Sequence, residues 1–203
     1  MASVILLFWG IISPPTCVNC YYYSLHGSGV FFMNDLKKFC VIGFFVTTVL
    51  GILSHFVYDW TGGGFLVGLF FPVNESTWEH MKLLFFPMFL FALVAGKRME
   101  RQYPCIYNAM FTGILVGLAL IPTLFYTYSG ILGFFVDWVN IAVYVISVLV
   151  AYLVVYRVAM TCKNKDSKVL RIVMYVLVAA FMIFTVDPPE LGLFQVPPTE
   201  GKR

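Results

Sequence analysis

Between two long apolar runs, the eleven residues Pro72-Val73-Asn74-Glu75-Ser76-Thr77-Trp78-Glu79-His80-Met81-Lys82 hold two carboxylates, an imidazole, an amide and an ammonium. Charged groups at a bilayer are costly, so such a cluster in an oily chain is a functional-site hypothesis by default. A second imidazole, His55, precedes Asp59 by four residues, which puts the two on one helix face. A carboxylate there can fix the tautomer of the ring or favour its protonated form. His55 and His80, with carboxylates from Asp59, Glu75, Glu79 or Asp137, make a candidate divalent-metal set. Such a metal lowers the pKa of bound water and would serve hydrolysis of a lipid-linked ester or amide. We single out His55, Glu75 and His80 as candidate metal ligands and catalytic groups. Glu79 and His80 are adjacent and point about 100° apart on a helix, so only one of them faces a common site easily.

The same residues have a structural reading. Ser76-Thr77-Trp78-Glu79 is an S-x-x-E capping box, in which Ser76 and Glu79 satisfy backbone N–H groups at a helix start. Capping leaves the Ser76 hydroxyl poorly placed as a nucleophile, and Trp78 reads as an interfacial anchor. Asn74, Glu75 and His80 are not needed for the cap. Asp59, Asn74, Glu79, Asp137 and Asn140 are therefore candidate ligand-binding residues. Asp137, Asn140, Tyr144, Ser147 and Ala151 step by three and four and draw a polar or small stripe down one helix face. That face belongs inside a bundle, as glue between helices or as a path for a solute. Gly113 and Gly117 form a G-x-x-x-G, with Asn108 and Thr112 on one face of the same segment, and read as close packing.

The elements that must position these groups are membrane spans. Hydrophobic residues make up 61% of the 203 and charged residues 11%, against about 45–50% and 25% in soluble domains. The fold class is all-α, a transmembrane helix bundle. Five segments reach spanning length: Phe39 to Tyr58, Thr77 to Gly96, Cys105 to Tyr126, Phe135 to Tyr156 and Val169 to Val186. Phe65 to Val73, after Gly62-Gly63-Gly64, is too short to cross and reads as re-entrant or interfacial. Cations fall in groups of two (Lys37, Lys38), three (Lys97, Arg98, Arg101) and five (Arg157, Lys163, Lys165, Lys168, Arg171), ten of thirteen on one side. That side is cytoplasmic by the positive-inside rule. The expectation is a multi-pass protein of the cell membrane with a cytoplasmic amino end, counted from Met33. Its carboxyl end and the Asn74 to His80 cluster lie outside.

Residues 1–32 fit this pattern poorly: Val4 to Ile12 is apolar but short, and no Lys or Arg occurs before Lys37. They read as an extension upstream of a start at Met33. Residues 33–187 form the transmembrane domain, and 188–203 a Pro-rich tail that folds back over the outer mouth of the bundle. Cys17 and Cys20 form a lone C-x-x-C, weak as a metal or redox motif. Cys40, Cys105 and Cys162 read as small hydrophobes at span ends. The net charge of +3 is too small for a nucleic-acid footprint.

From about Asp35 onward the chain resembles a bacterial family of uncharacterised small multi-spanning membrane proteins. The resemblance rests on His55 followed by Asp59-Trp60, on the P-V-N-E-S-x-W-E-H-x-K signature running into Leu83-Leu84-Phe85-Phe86-Pro87, and on the tail from Thr185-Val186-Asp187-Pro188-Pro189 to Leu193-Phe194. The family's tail continues through an Asp-Pro and a Gly-Tyr-Gly-like close, where this chain has Val196-Pro197-Pro198. The resemblance implies a membrane bundle and names no reaction. Three functions compete: a metal-assisted hydrolase at the outer leaflet, a small transporter or proton-coupled permease, and a non-catalytic accessory protein. Gly62-Gly63-Gly64 and Pro87 fit the discontinuous helices of a transporter, for which five spans are sparse unless copies of the chain form a homo-oligomer.

Overall fold

A computed structural model describes residues 29–161 and 167–197 of the chain. The Val4 to Ile12 run, the Cys17 and Cys20 pair, Cys162, Lys163, Lys165 and residues 198–203 lie outside the described residues. Those described form helices and no strand: α1 (Gly29–Trp60), the single-turn α2 (Phe65–Gly68), α3 (Thr77–Met99), α4 (Ile106–Leu132), α5 (Asp137–Thr161) and α6 (Lys168–Val186). Five of them, α1 counted from Asp35, are long and apolar enough to cross a membrane, as expected. Met33 lies within α1.

Local chemistry sets the helix ends. Ser76 opens α3 and Ser167 opens α6, each accepting the N–H three residues on. Asn108 of α4 anchors the second of these starts, accepting the Ser167 N–H at 3.1 Å. Gly133 closes α4 in the left-handed region, φ 77°, and returns its N–H to Ser129. After α1, Gly62 and Gly63, both at φ 75°, turn the chain towards α2. Phe65 and Leu66 of α2 stay exposed, as an interfacial segment requires. Pro87 does not interrupt α3, nor Pro122 α4, so the discontinuity that the transporter alternative would place at Pro87 is not found.

The core is centred on α3, whose Leu84, Phe85, Met88 and Ala92 are fully buried. On one side α3 packs against α1 and on the other against α4; α5 joins α4 and α1, and α6 rests on α3 and α4. Both α1 and α6 leave large apolar side chains exposed, among them Phe45, Val49, Ile172 and Val176. Lipid would cover such surface at no cost. Trp78 is a correction to the sequence reading: it is buried against Phe181 and Phe194, with ring centroids at 4.7 and 4.9 Å, rather than anchored in an interface. Cys105 is another, because it is disulfide-bonded.

Small residues bring the helices together. A Cβ on Gly113 would lie 2.7 Å from the Ala151 carbonyl and one on Gly117 2.8 Å from Leu84, so the G-x-x-x-G is a packing groove, as expected. A second groove on α1 runs Gly43, Thr47, Gly51 and receives two tyrosines of α5. Thr47 shares a hydrogen bond with the Tyr152 hydroxyl at 2.9 Å, and its carbonyl accepts from Tyr144 at 2.9 Å. A methyl at Gly51 would overlap the Tyr144 hydroxyl and come within 2.6 Å of the Leu83 carbonyl. Gly51→Ala is expected to destabilise the bundle by about 1–3 kcal/mol, the usual loss on overpacking, read as a lowered thermal midpoint in detergent. Gly130→Ala, where a methyl meets nothing within 4 Å, is the matched control and is expected to leave the midpoint unchanged or slightly raised.

Candidate functional site

The turn before α3 is built from its own polar side chains. Asn74 Oδ1 accepts the Ser76 N–H at 2.9 Å, and Ser76 Oγ accepts the Glu79 N–H at 3.4 Å. Only half of the capping box therefore forms. Asn74 takes the backbone donor assigned to Glu79, whose carboxylate instead accepts the Val73 N–H at 3.0 Å. Asn74 is part of the turn that presents Glu75.

Glu75 reaches between the two imidazoles. Its Oε1 lies 3.6 Å from His55 Nε2 and its Oε2 lies 3.3 Å from His80 Nε2, and the two rings are 5.3 Å apart. His80 Nδ1 sits 3.0 Å from the Ser76 carbonyl, which can only accept, so Nδ1 donates there and Nε2 is the ring nitrogen turned to Glu75. The three residues place ligand atoms within 4.8 Å of one another. Ligands about 2.1 Å from a tetrahedral ion lie about 3.4 Å apart, so closing on an ion takes shifts of about 1 Å or less.

Hydrogen bonding from His55 and then His80 outweighs burial and holds the Glu75 carboxyl well below the usual carboxylate range. A depressed carboxyl contributes stability that is present above its unfolded pKa and lost only as pH falls through the lower folded value. Glu75 should accordingly remain an anion at pH 4. Difference infrared spectra of wild type against Glu75→Gln should keep a Glu75 carboxylate band at that pH; a protonated-acid band there would contradict the pairing.

Beside the triad opens a cleft of about 700 Å³ between α3, α4 and α5. Its polar wall holds Glu75, Thr77, His80, Asp137 and Asn140, and its apolar wall includes Leu83, Ile121, Phe125 and Val143. The tail crosses this end of the bundle, as expected: Leu193 accepts the Trp78 N–H at 3.0 Å, Gly192 accepts from the Tyr126 hydroxyl at 3.0 Å, and Val196 and Pro197 line the rim.

About 100° round α3 from His80, Glu79 and Lys82 form a buried pair. Lys82 Nζ donates to Glu79 Oε2 at 2.7 Å, to the Gly68 carbonyl at 2.9 Å and to the Thr185 hydroxyl, which itself lies 3.0 Å from Glu79 Oε1. The sequence reading missed Lys82 and Thr185, although an acid and a lysine three residues apart already implied an ion pair.

The structure thus brings His55, Glu75 and His80 together and sends Glu79 elsewhere. Asp59 is exposed and acts on His55 only through space, whereas Glu75 is the carboxylate that touches the ring. Asp137 and Asn140 share the cleft with Glu75 and His80, and the Asn140 carboxamide oxygen also accepts from the Tyr128 hydroxyl. Deeper in the stripe, Ser147 is fully buried and donates to the Val143 carbonyl.

No curated protein and no solved structure matches the chain. A family model described as "Family of unknown function (DUF6512)" matches residues 30–202, the whole helical bundle with its tail, and the chain belongs to that family.

Proposed function

We propose that His55, Glu75 and His80 bind one divalent metal ion, zinc by the chemistry of the donors, and that the protein is a metal-dependent hydrolase of a lipid-linked ester or amide. Two imidazoles and a carboxylate are a ligand set of catalytic zinc sites, which keep a fourth position for water. The observation that carries the reading is the cluster: one ligand atom from each of the three residues, all within 4.8 Å of one another, which shifts of about 1 Å would bring to the edges of a metal tetrahedron. The Ser76 carbonyl on His80 Nδ1 supplies the outer hydrogen bond that orients a ligating ring and fixes its tautomer. When bound, the ion would lower the pKa of water and polarise a carbonyl. The chain's own groups do the rest: the apolar wall seats an acyl chain, and Asp137 and Asn140 face its polar end.

The site face is extracytoplasmic in this reading, and the chain is a multi-pass protein of the cell membrane. The excess of cations at the opposite face supports that orientation. The Cys105 disulfide pulls the other way, because disulfides are rare in the cytosol. A membrane-impermeant thiol reagent applied to intact cells is expected to label Glu190→Cys and to miss Lys97→Cys; the opposite pattern reverses the orientation.

Activity is tested on the full chain in lipid nanodiscs, loaded with zinc and offered a panel of lipid esters and amides. The expected result is release of a carboxylic acid that stops on chelation and in His80→Ala. No turnover by the zinc-loaded wild type, or equal turnover by His80→Ala, overturns the reading.

A further inference from the structure

The Glu75 side chain is 63% exposed, so beyond its contacts with the two imidazoles packing does not hold it; whether it reaches both rings is set by the backbone that carries it. That backbone, residues 69–76, lies between α2 and α3; Phe70 and Phe71 still return their N–H groups to the Val67 carbonyl of α2, and beyond them the chain runs without a helical ladder. Two of its tethers end on one buried pair. Glu79 accepts the Val73 N–H, and Lys82 donates to the Gly68 carbonyl, so the pair grips the segment at both sides of Phe70 to Pro72. Thr185 of α6 joins the same pair and fixes it against the last span.

An apolar pair of the same size would serve α3 packing as well or better, since burying two charges costs about as much as their attraction returns. Hydrocarbon cannot, however, hold a backbone N–H and a carbonyl. We propose that Glu79 and Lys82 are positioning residues for the metal centre: a clasp that fixes residues 68–73 and so sets Glu75 at bonding distance from His55 and His80. This rests on the metal reading above. The division of labour follows from helix geometry, because His80 faces the cleft while its neighbour Glu79, about 100° round the helix, faces the clasp.

The test is a cobalt(II) titration of the full chain in nanodiscs, read by visible absorption, together with hydrogen exchange of the peptide covering residues 69–76. The variants are Glu79→Gln and the paired Glu79→Leu/Lys82→Met, which leaves no buried charge unpaired and keeps the fold testable should the single variant fail to fold. Cobalt affinity is expected to fall about 10–100-fold, as on loss of outer-shell support, with an altered absorption band, faster exchange at 69–76 and unchanged exchange in the spans. Wild-type affinity in the paired variant overturns the clasp. If the wild type itself binds no cobalt, the metal reading fails, and exchange alone judges the clasp: faster exchange supports it and unchanged exchange overturns it.

Discussion

Glu79→Ala lowers the stability of the bundle by about 3–5 kcal/mol, the cost of leaving a buried charge without its partner. The Lys82 side chain is fully buried, and Glu79 is its one counter-ion among the described residues. Lys82→Met should cost a similar amount, because each stranded charge keeps two partners: the carboxylate keeps the Val73 N–H and the Thr185 hydroxyl, and in Glu79→Ala the ammonium keeps the Gly68 carbonyl and the same hydroxyl. The paired Glu79→Leu/Lys82→Met variant should recover most of the loss, because the charges leave together; two backbone groups, the Val73 N–H and the Gly68 carbonyl, then lose their partners. Unfolding in mixed micelles gives the order directly. Equal losses in all three variants would mean that the pair contributes packing alone.

The second large effect is on metal affinity. Zinc sites contribute on the order of 10–16 kcal/mol of binding free energy. Spread over three protein ligands and water, each ligand accounts for about 3 kcal/mol, or roughly a hundredfold in affinity. His55→Ala, His80→Ala and Glu75→Ala should each weaken binding by about that factor or more. Asp59→Ala, on the same face of α1 as His55 but away from the cluster, should change it little. Acid should also release the ion, since protons compete for the imidazoles. Were Asp59→Ala to match His55→Ala, the ligand set would have to be redrawn with the local pair on α1.

The spans were legible because a bilayer imposes length and hydropathy on each segment separately, so five runs in the sequence became five helices. The divergence of Glu79 and His80 was legible for a similar reason: it depends only on 100° per residue. The partner of His55 was not. Asp59 is four residues away and belongs to the same helix, whereas Glu75 arrives through a turn whose path depends on Asn74, Val73 and Gly68. The capping box misled in the same region, because Glu79 could satisfy either the backbone at Ser76 or a buried ammonium, and the ammonium won: burial raises the cost of leaving a charge unpaired far above that of a free N–H at a helix end. The burial of Lys82 was not legible because it depends on α6, which supplies Thr185 from about a hundred residues away. Of the α5 stripe, Tyr144, Ser147 and Ala151 lie inside the bundle as expected, whereas Asp137 is exposed and Asn140 half-buried at the cleft; the use of the buried part as packing shows only in the partners: Tyr144 docks over Gly51, and Ser147 bonds within its own helix.

The most direct measurement is metal content by elemental analysis of the full chain, purified in mild detergent after exposure to zinc and removal of the excess. One zinc per chain in the wild type, with the content lost in both His55→Ala and His80→Ala and kept in Asp59→Ala, is the result this account predicts. A wild-type protein that retains no divalent ion, or histidine variants that retain as much as the wild type, would contradict it.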